Sequence, residues 1–389
     1  MTGKSLDKAK LNIAMLGHKR IPSREGGVEV VVEELATRMV ERGHKVTCYN
    51  RSGHHVSGAE YETNSTREAV TKGEYKGVTL KTVWTINRRG FAAMTSSLFG
   101  ATRAAFGKYD VVHIHAEGPS AMCWLPRVTG KKVIVTIHGL DWQRAKWGKV
   151  ASSFIMAGER GAVRHADEII VLSRGLQKYF KEVYNRDTVF IPNGVCRPKV
   201  RKARKITERW GLEEGSYVLF LGRLVPEKGV EYLIDAWRGI KTDKKLVIAG
   251  GSSDTKRYMN KLRANSPDNV IFTGFIQGRV LEELYSNSYV YCLPSDVEGM
   301  PLSLLEAMSY GNCCLVSDIS ECTEVVEDKA AVFKQGDVRD LRTKLQELID
   351  NPDRVAAYRK EAADFICGKY NWDDVVDKTL ALYRGEFKN

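Results

Sequence analysis

The sequence predicts an α/β protein built from two doubly wound domains, each with a parallel sheet covered by helices on both faces. Short apolar runs rich in β-branched residues alternate with helical patterns up to about residue 195, and after a break the same alternation starts again. Strands that are apolar on both faces are typical of a buried parallel sheet. The length of 389 residues fits two such domains better than one.

In the first half, the strand-like runs are LNIAMLG, KVTCYNR, VTLKTVW, YDVVHIHA, KVIVTIHG, EIIVLS and TVFIPNG. Between the first two, apolar side chains recur at helical spacing, and Gly43 ends the pattern. The predicted buried stripe of this helix consists of Val28, Val31, Val32, Leu35 and Met39. A further helix is predicted near residues 91–106.

The stretch RPKVRKARKITERWGLEEGS breaks the alternation and is interpreted as a linker. Strand-like runs then resume as YVLFLGR, KLVIAGG, NVIFTGFI, YVYCLPS and CCLVSDI. We therefore predict an amino-terminal domain over residues 1–195, a second domain over residues 196–370, and a C-terminal helix over residues 371–389 that crosses back to the first domain. In such sheets, ligands bind outside the carboxyl ends of the strands.

The composition argues against several classes of protein. No apolar run reaches the roughly 18 residues that span a bilayer. We expect a cytoplasmic protein, because a polar stub leads into the first strand without a cleavage-site pattern. The eight cysteines form no C-x-x-C pair, and most lie in apolar stretches, so we interpret them as buried reduced thiols.

The net charge of +12 is unevenly distributed. Residues 1–195 contain 30 Lys and Arg against 18 Asp and Glu, whereas residues 196–389 contain 30 of each. A one-sided basic surface favours an anionic partner such as nucleic acid, acidic lipid headgroups or a phosphorylated substrate. A solvated surface that maintains solubility explains the same charge equally well.

Two cations leave one predicted strand together in GRLVPEKG, residues 222–229, which follows YVLFL and precedes a helix. Arg223 offers a planar fork of donors and Lys228 a point charge, a combination suited to a diphosphate. The alternative is a surface loop with two solvated cations.

The segment EGMPLSLLE places two glutamates around a predicted helix start. Pro301 suits the first helical position, so Glu298 falls in the preceding loop and Glu306 inside the helix. The unbonded N–H groups of Leu302 and Ser303 then form an anion site. The alternative is that Glu298 only favours the helix dipole and Glu306 is solvated. The apolar neighbours of Glu306 argue against it, because a carboxylate among them needs partners.

A third segment, HKRIPSREGGVEVV, contains paired glycines immediately before the first helix. Gly26 and Gly27 would let a ligand approach the N-terminus of that helix. Neither G-x-G-x-x-G nor G-x-x-x-x-G-K-[ST] occurs in the chain, which argues against a dinucleotide fingerprint and a P-loop.

Three histidines end predicted strands. We interpret His138 as functional, whereas His113 and His115 are expected to point to opposite faces of their strand and to be structural or peripheral rather than a compact metal site. The chain contains no D-x-D triplet, the commonest carboxylate pattern for a metal–diphosphate pair. We therefore predict no metal, and a diphosphate that is held by cations.

GRLVPEKG, followed about 70 residues later by EGMPLSLLEAMSYG, resembles the donor-site signature of retaining glycosyltransferases with the GT-B fold, of family 4. The G-R-x-x-x-x-K-G and E-x7-E elements occur in order and on matching structural elements. The resemblance extends to the paired glycines, to His138 and to the final helix near Trp372, and so covers essentially the whole chain. It implies two Rossmann-like domains that face a central cleft.

The resemblance also implies roles for the matching residues. Those implied to be catalytic are Arg223, Lys228, Glu298 and His138. Those implied to bind the donor are Gly26, Gly27, Arg223, Lys228, Gly274, Phe275, Ile276, Glu298, Gly299, Met300, Pro301, Leu302, Ser303 and Glu306. Among them, Glu306 would take the ribose hydroxyls, Glu298 the donor sugar, and residues 274–276 the base.

The implied activity is the transfer of a hexosyl or deoxyhexosyl group from a nucleotide-sugar donor to a glycan or lipid-linked saccharide, with retention, in cell-surface polysaccharide biosynthesis. Neither a metal nor a cofactor besides the nucleotide-sugar co-substrate is implied. Because this family takes its acceptor on the basic amino-terminal domain, peripheral contact with an anionic membrane at the inner face is expected. The stretch from Arg88, Arg89 and Phe91 into FAAMTSSLFGATRAAFGKY suits such a surface, with a core helix as the alternative.

Two other functions fit parts of the sequence. A basic nucleic-acid-binding protein on a similar scaffold would explain the charge, but the basic half contains no recognised nucleic-acid motif, so no nucleic-acid partner is predicted. A GT-B nucleotide-sugar epimerase or phosphorylase would share the fold, but both donor elements fit transfer better.

Overall fold

The computed structural model of the protein describes residues 10–52, 73–86, 88, 91–143, 149–251 and 256–387. These residues form two compact units. The amino-terminal unit contains the described residues up to 191 together with residues 376–387, and the carboxyl-terminal unit is Pro192–Val375. The domain boundaries drawn from the sequence, after residues 195 and 370, stay predictions.

The amino-terminal unit contains eight strands: β1 (Asn12–Leu16), β2 (Lys45–Arg51), β3 (Glu74–Tyr75), β4 (Val78–Val83), β5 (Val111–His115), β6 (Lys132–Ile137), β7 (Glu168–Val171) and β8 (Val189–Phe190). Its helices are α1 (Gly27–Glu41), α2 (Phe91–Ala105), α3 (Trp124–Val128), α4 (Lys149–His165) and α5 (Arg174–Tyr184), with 3₁₀ turns at Gly118–Met122 and Asp141–Gln143.

The strands of the carboxyl-terminal unit are β9 (Tyr217–Leu221), β10 (Lys245–Ala249), β11 (Val270–Gly274), β12 (Val290–Leu293), β13 (Cys313–Ser317) and β14 (Ala331–Phe333). Its helices are α6 (Lys205–Trp210), α7 (Val230–Trp237), α8 (Lys256–Ala264), α9 (Arg279–Asn287), α10 (Leu302–Ser309), α11 (Ser320–Val326), α12 (Val338–Asp350) and α13 (Pro352–Lys369), with a 3₁₀ turn at Pro226–Lys228. The last helix, α14 (Trp372–Arg384), starts in this unit and ends in the other.

Both sheets reverse their strand order once. The amino-terminal sheet has the order β3-β4-β2-β1-β5-β6-β7-β8 and is parallel except for the β3–β4 pair. The carboxyl-terminal sheet has the order β11-β10-β9-β12-β13-β14 and is parallel throughout. The reversals fall between β1 and β5 and between β9 and β12, which is where doubly wound sheets form a binding crevice. The predicted fold class is confirmed.

The strands form because their side chains are apolar on both faces. Val112, Ile114, Val218 and Leu219 are completely buried, as both layers of a covered sheet require. Of the predicted stripe on α1, four residues are buried, while Val28 in the first turn is only half-buried.

Side-chain caps begin some of the helices. The carboxylate of Asp337 accepts the N–H groups of Arg339 and Asp340 at the start of α12. Among the described helices, none combines the length and the apolar character that a membrane crossing requires.

Candidate active site

In the carboxyl-terminal unit, the loops after β9 and β12 lie against each other at the strand reversal. Gly229 has a positive φ of 63°, and a Cβ there would lie 1.9 Å from the carbonyl oxygen of Pro294, so only glycine permits this approach. The N–H of Asp296 donates to the carbonyl of Glu227 at 2.9 Å. The two motifs singled out in the sequence are therefore neighbours.

The centre of this arrangement is an ion pair between Lys228 and Glu298. Their side chains are only 15% and 8% exposed, and the hydroxyl of Ser295 donates to the same Glu298 oxygen at 2.6 Å. The pair fixes the ammonium group at the carboxyl edge of the sheet. A lysine ammonium has three donors, and one pairing with a carboxylate leaves donors for an anionic ligand.

Helix α10 begins beside this pair. The prediction that Pro301 occupies its first helical position is wrong by one residue: Pro301 is extended, with ψ of 102°, and stands at the N-cap. Its carbonyl accepts the first helical bonds, from Leu304 and Leu305. In the described part of the chain, no acceptor lies within hydrogen-bond distance of the N–H groups of Leu302 and Ser303, which keeps them available to an anion.

Glu306 lies one turn further along α10 and is half-buried. The hydroxyl of Tyr285 donates to its Oε2 at 3.1 Å, and Tyr285 itself stacks on Tyr310 with ring centroids 5.2 Å apart. Burial, together with the Glu306 carboxylate, raises the pKa of Tyr285 well above its usual value, so the hydroxyl remains a donor. The contact gives the Glu306 carboxylate a partner among its apolar neighbours, as the sequence predicts.

The remaining predicted residues of this unit lie along the same edge. Arg223 follows β9 and is half-buried. Gly274 ends β11 with a φ of 71°, and its carbonyl accepts the N–H of Gly250 at 2.9 Å; Phe275 and Ile276 follow it and are half-buried. Strand β11 lies two strands from β9, so residues 274–276 occupy the flank of the crevice rather than its centre.

Two residues of this edge escaped the sequence analysis. Asn193, 3% exposed, donates its backbone N–H to the sulfur and its side-chain amide to the carbonyl of Met300, at 3.1 and 3.2 Å, and so holds the loop before α10. Glu227 is 7% exposed, and neither carboxylate oxygen has a hydrogen-bond donor within the described residues. Asn193 and Met300 are 107 positions apart, so no local sequence pattern indicates their contact.

In the amino-terminal unit, Gly27 is the first residue of α1 and Gly26 its extended N-cap. The carboxylate of Glu29 folds back here: it would lie 2.5 Å from a Cβ on Gly26, and it accepts the N–H of Lys19 at 2.9 Å. Burial by itself raises the pKa of Glu29, but Lys19, His18 and Arg51 outweigh it and lower the pKa below its usual value.

The expectation that His113 and His115 point to opposite faces is wrong. Their ring centroids are only 4.1 Å apart, because side chains two residues apart on a strand share a face. Nδ1 of His115 is 3.1 Å from Nε2 of His138, so one ring donates to the other. His115 is completely buried and therefore orients His138, a role that was not predicted.

Three buried histidines of this unit, His18, His113 and His115, are neutral. Burial lowers the pKa of His18 to about 4 and that of His113 to about 3, and it lowers the pKa of His115 well below its usual value. His113 bonds the hydroxyls of Tyr383 and Thr136 at 2.6 and 2.7 Å, which attaches the end of α14 to this sheet.

A buried carboxyl pair lies behind His138. Glu117, completely buried, accepts the N–H of Asp141 at 2.6 Å and so holds the loop that follows His138. Its other oxygen faces Glu159, which accepts the hydroxyl of Tyr179. Burial, with Glu159 and Asp141 nearby, raises the pKa of Glu117 to about 10, so this carboxyl keeps its proton at neutral pH.

Within the described residues, no three His, Cys, Asp or Glu side chains are grouped so that they could hold a metal ion. The two edges differ in what they offer chemically. The carboxyl-terminal edge offers fixed charges and N–H groups for an anion, and the amino-terminal edge offers neutral imidazole groups and a protonated carboxyl beside the ionised Glu29.

Comparisons with known proteins agree on glycosyltransferases. Residues 25–196 match the family described as Glycosyltransferase Family 4, and residues 203–365 match Glycosyl transferases group 1. An uncharacterised glycosyltransferase of Methanocaldococcus jannaschii is 25% identical, with 96% of this chain and 98% of that protein covered.

Phosphatidyl-myo-inositol mannosyltransferase of Mycobacterium leprae is also 25% identical, with 92% of each chain covered. Among solved structures, HepE of Anabaena in complex with UDP and glucose has a TM-score of 0.78 at 15% identity, with 96% of this chain and 100% of that chain covered.

Proposed function

The chain is a glycosyltransferase of the GT-B, family 4 type, and on this premise we propose that it transfers a hexosyl or deoxyhexosyl group from a nucleotide-sugar donor with retention of configuration and without a metal. The observation that supports this most is the buried Lys228–Glu298 pair beside the start of α10. A fixed cation next to free helix N–H groups is an environment for a diphosphate.

The proposed chemistry is stabilisation of the leaving group. When the bond between the sugar and the diphosphate breaks, negative charge develops on the leaving phosphate. Arg223, Lys228 and the N–H groups at the start of α10 stabilise that charge most in the transition state, because they are already in position. The acceptor attacks on the face that the diphosphate leaves, and a phosphate oxygen takes its proton, so no protein nucleophile is required.

The glutamates supply the hydroxyl contacts in this proposal. Glu306, held by Tyr285, binds the ribose hydroxyls, and Glu298 binds hydroxyls of the donor sugar. Residues 274–276 contact the base through their main chain, and His138 takes part in catalysis, as the family resemblance implies. The solved relative described with UDP and glucose supports a nucleoside diphosphate sugar as donor.

We assign the acceptor to the amino-terminal unit, because residues 1–195 contain the whole charge excess. A glycan or lipid-linked saccharide with an anionic group suits that charge, and cell-surface polysaccharide biosynthesis uses such acceptors. The lipid named for the mycobacterial relative supports an acceptor at a membrane. The predicted peripheral membrane stretch starts at Arg88, which is exposed, and Phe91, which is 54% exposed; Arg89 lies outside the described residues.

A thermal-shift panel of UDP, GDP and dTDP sugars tests the donor. One nucleotide is expected to raise the melting temperature, because a ligand at 100 times its Kd stabilises the folded state by about 2.7 kcal/mol. Chelation by EDTA is expected to leave the shift and the turnover unchanged. No shift with any nucleotide sugar would overturn the donor proposal.

The stereochemistry is tested separately, by NMR of the anomeric proton of the product. The same anomeric configuration in donor and product is expected. Inversion would overturn the front-face mechanism while leaving glycosyl transfer intact, and an epimerised or phosphorolysed donor would favour the related GT-B activities.

A further inference from the structure

The amino-terminal unit has a second concave site, which lies on the face of its sheet near the amino ends of β1 and β5 and is also lined by residues inside β2 and β4. A cavity of about 560 Å³ is lined there by residues that include Asn12, Tyr49, Lys81, Arg103, Lys108 and Tyr109. Asn12 is the first residue of β1, and Tyr109 precedes β5, so the cavity lies at the amino ends of these strands. His138, at the carboxyl end of β6, belongs to the other edge.

Three cations line this cavity. Lys81, Arg103 and Lys108 are exposed, and within the described part of the chain no carboxylate lies at ion-pair distance from any of them. Arg103 donates to the carbonyl of Thr82 at 2.8 Å, which attaches its guanidinium to β4. The nearby carboxylate of Asp110 accepts a hydrogen bond from the backbone N–H of Asn12 at 2.7 Å.

Hydroxyl groups complete the polar lining. The hydroxyls of Tyr49 and Tyr109 lie 3.0 Å apart. The ammonium group of Lys81 lies 3.5 Å from the hydroxyl of Tyr109. A guanidinium fork, two ammonium groups and neutral hydroxyl donors are the groups that proteins use to bind phosphate. The chemistry of the cavity therefore fits a phosphate group.

Helix α2, which contains Arg103, has its apolar residues on the wrong side for an ordinary surface helix. Its buried positions are small: Ser96, Ser97, Gly100, Ala101, Ala104 and Ala105. Its large apolar side chains are exposed instead: Phe91, Met94, Leu98 and Phe99. A surface helix normally shows the reverse pattern, and an exposed apolar patch of this kind marks a contact surface.

The apolar face of α2 continues to the rim of the cavity. Trp84, 58% exposed, packs edge-on against Phe99 with ring centroids 5.5 Å apart. Phe99 precedes Arg103 by four residues on the helix, and Phe106, 80% exposed, follows it by three. Aromatic and aliphatic side chains bordering a cluster of cations are typical of a surface that rests on an anionic bilayer.

We propose that this cavity binds the phosphate of an anionic phospholipid headgroup, while the exposed face of α2 with Trp84 and Phe106 lies in the interfacial region of the bilayer. The proposal rests on the membrane contact proposed above and names its site and ligand. The lipid here is a docking ligand, separate from the donor and from the acceptor.

Vesicle co-sedimentation of the full chain tests it, with phosphatidylcholine vesicles that contain or lack phosphatidylglycerol. A triple variant, Lys81→Gln, Arg103→Gln and Lys108→Gln, is expected to weaken binding to the anionic vesicles on the order of a hundredfold, at about fivefold for each cation. The matched control, Arg164→Gln, Lys178→Gln and Lys181→Gln, removes three exposed cations of the same unit and is expected to bind nearly as tightly as the parent.

A second variant separates lipid from free phosphate. Phe106→Ser is expected to weaken vesicle binding severalfold, while inorganic phosphate competes equally with the parent and with this variant. If both triple variants lost vesicle binding equally, the loss would follow from the lower net charge alone, and the proposal would be overturned. Vesicle binding that is insensitive to Phe106→Ser would overturn the lipid assignment in favour of a soluble phosphate.

The nucleotide-sugar thermal shift is run on the same samples as an independent readout. A protein that binds its donor but not anionic vesicles overturns this inference alone. A protein that binds vesicles through the three cations but no nucleotide sugar overturns the proposed donor chemistry alone.

Discussion

The two units reverse their strand order in the same way, yet the crevices there are lined by different chemistry. At the amino-terminal reversal, His18, His115 and Glu117 are buried and uncharged. At the carboxyl-terminal reversal, Lys228 and Glu298 form an almost buried ion pair. All eight histidines of the chain lie in residues 1–165, and the carboxyl-terminal unit has none.

A glycine permits the close contact in both crevices. A Cβ on Gly17, after β1, would lie 2.1 Å from the carbonyl oxygen of His115, and one on Gly229 would lie 1.9 Å from that of Pro294. At each strand reversal, the fold therefore requires a glycine where two backbone segments contact each other. The side chains around that point are free to specialise, one edge for holding an anion and the other for neutral hydrogen bonding.

The largest expected effect tests the charged crevice. Lys228→Ala removes the cation at the proposed diphosphate site and leaves Glu298 buried without its partner, so donor turnover is expected to fall by roughly 10²–10³. Steady-state kinetics with the donor found by thermal shift measures this. Lys261→Ala is the control, because Lys261 pairs with Glu231 at 3.0 Å on an exposed surface. Equal turnover in parent and Lys228→Ala would show that the charged crevice is not the donor site.

Acidification is expected to weaken the amino-terminal unit first. The pKa of His113 is lowered to about 3, below that of an unfolded histidine near 6.5. The unfolded chain then binds the extra proton between these values, so the stability that is present above pH 6.5 is lost as the pH falls. At pH 5, this amounts to about 2 kcal/mol, or a few degrees in Tm.

Calorimetry over this pH range, with limited proteolysis to locate the first cleavage, measures the acid effect. His113→Gln is expected to reduce the slope of Tm against pH, whereas His165→Gln, which changes a half-buried position, leaves it unchanged. If His113→Gln only destabilised the fold, its Tm would be lower than that of the parent by a similar amount at every pH. First cleavage in the carboxyl-terminal unit would contradict the expected difference between the units.

A smaller effect is expected from Tyr285→Phe, which removes the hydroxyl that donates to Glu306. A hydrogen bond to a charged group contributes about 1.5–3 kcal/mol, so nucleotide affinity is expected to fall about tenfold or more. Calorimetric titration of the nucleoside diphosphate measures it. Tyr289→Phe, whose hydroxyl donates to the carbonyl of Leu348 at 3.0 Å, should leave the affinity intact. Equal losses in both variants would point to the fold rather than to Glu306.

The last expected effect concerns the neutral crevice at alkaline pH. The folded-state pKa of Glu117 is raised to about 10, so the folded chain keeps a proton that the unfolded chain releases near its ordinary pKa. Stability that is present at acidic pH is then lost progressively as the pH rises toward 10. Glu117→Gln keeps an acceptor for Asp141 and a donor for Glu159 without a titrating proton. Its Tm is expected to exceed that of the parent at pH 9, and the exposed Glu182→Gln should match the parent. A parent Tm that does not fall would mean that Glu117 is ionised.

The features of this protein that depend on local sequence pattern were predicted from the sequence. The two series of strands and helices were predicted because buried strands are apolar and surface helices have an apolar stripe. The start of α10 was placed within one residue, because a proline marks it. Roles for Arg223, Lys228, Glu298 and Glu306 came from motif spacing and family resemblance, and they stay predictions.

The errors and omissions have physical causes. His113 and His115 were assigned to opposite faces, although a period of two puts them on the same face. Glu117 and Glu159 are 42 positions apart on different elements, and only packing of α4 onto the turn after β5 brings them together. The stretch that forms α2 was predicted to face a membrane, with a core helix as the alternative, and only the structure identifies which of its residues are buried.

The sequence by itself determined the α/β class, the division into two series of strands, the one-sided charge and the positions of the motifs. These follow from residue type and from spacing along a single element. Tertiary structure decided the order of strands, the pairing of Lys228 with Glu298 and of His115 with His138, and which face of α2 meets solvent. Such contacts join residues that are tens of positions apart, and their energies depend on burial, which exists only once the sheets are assembled.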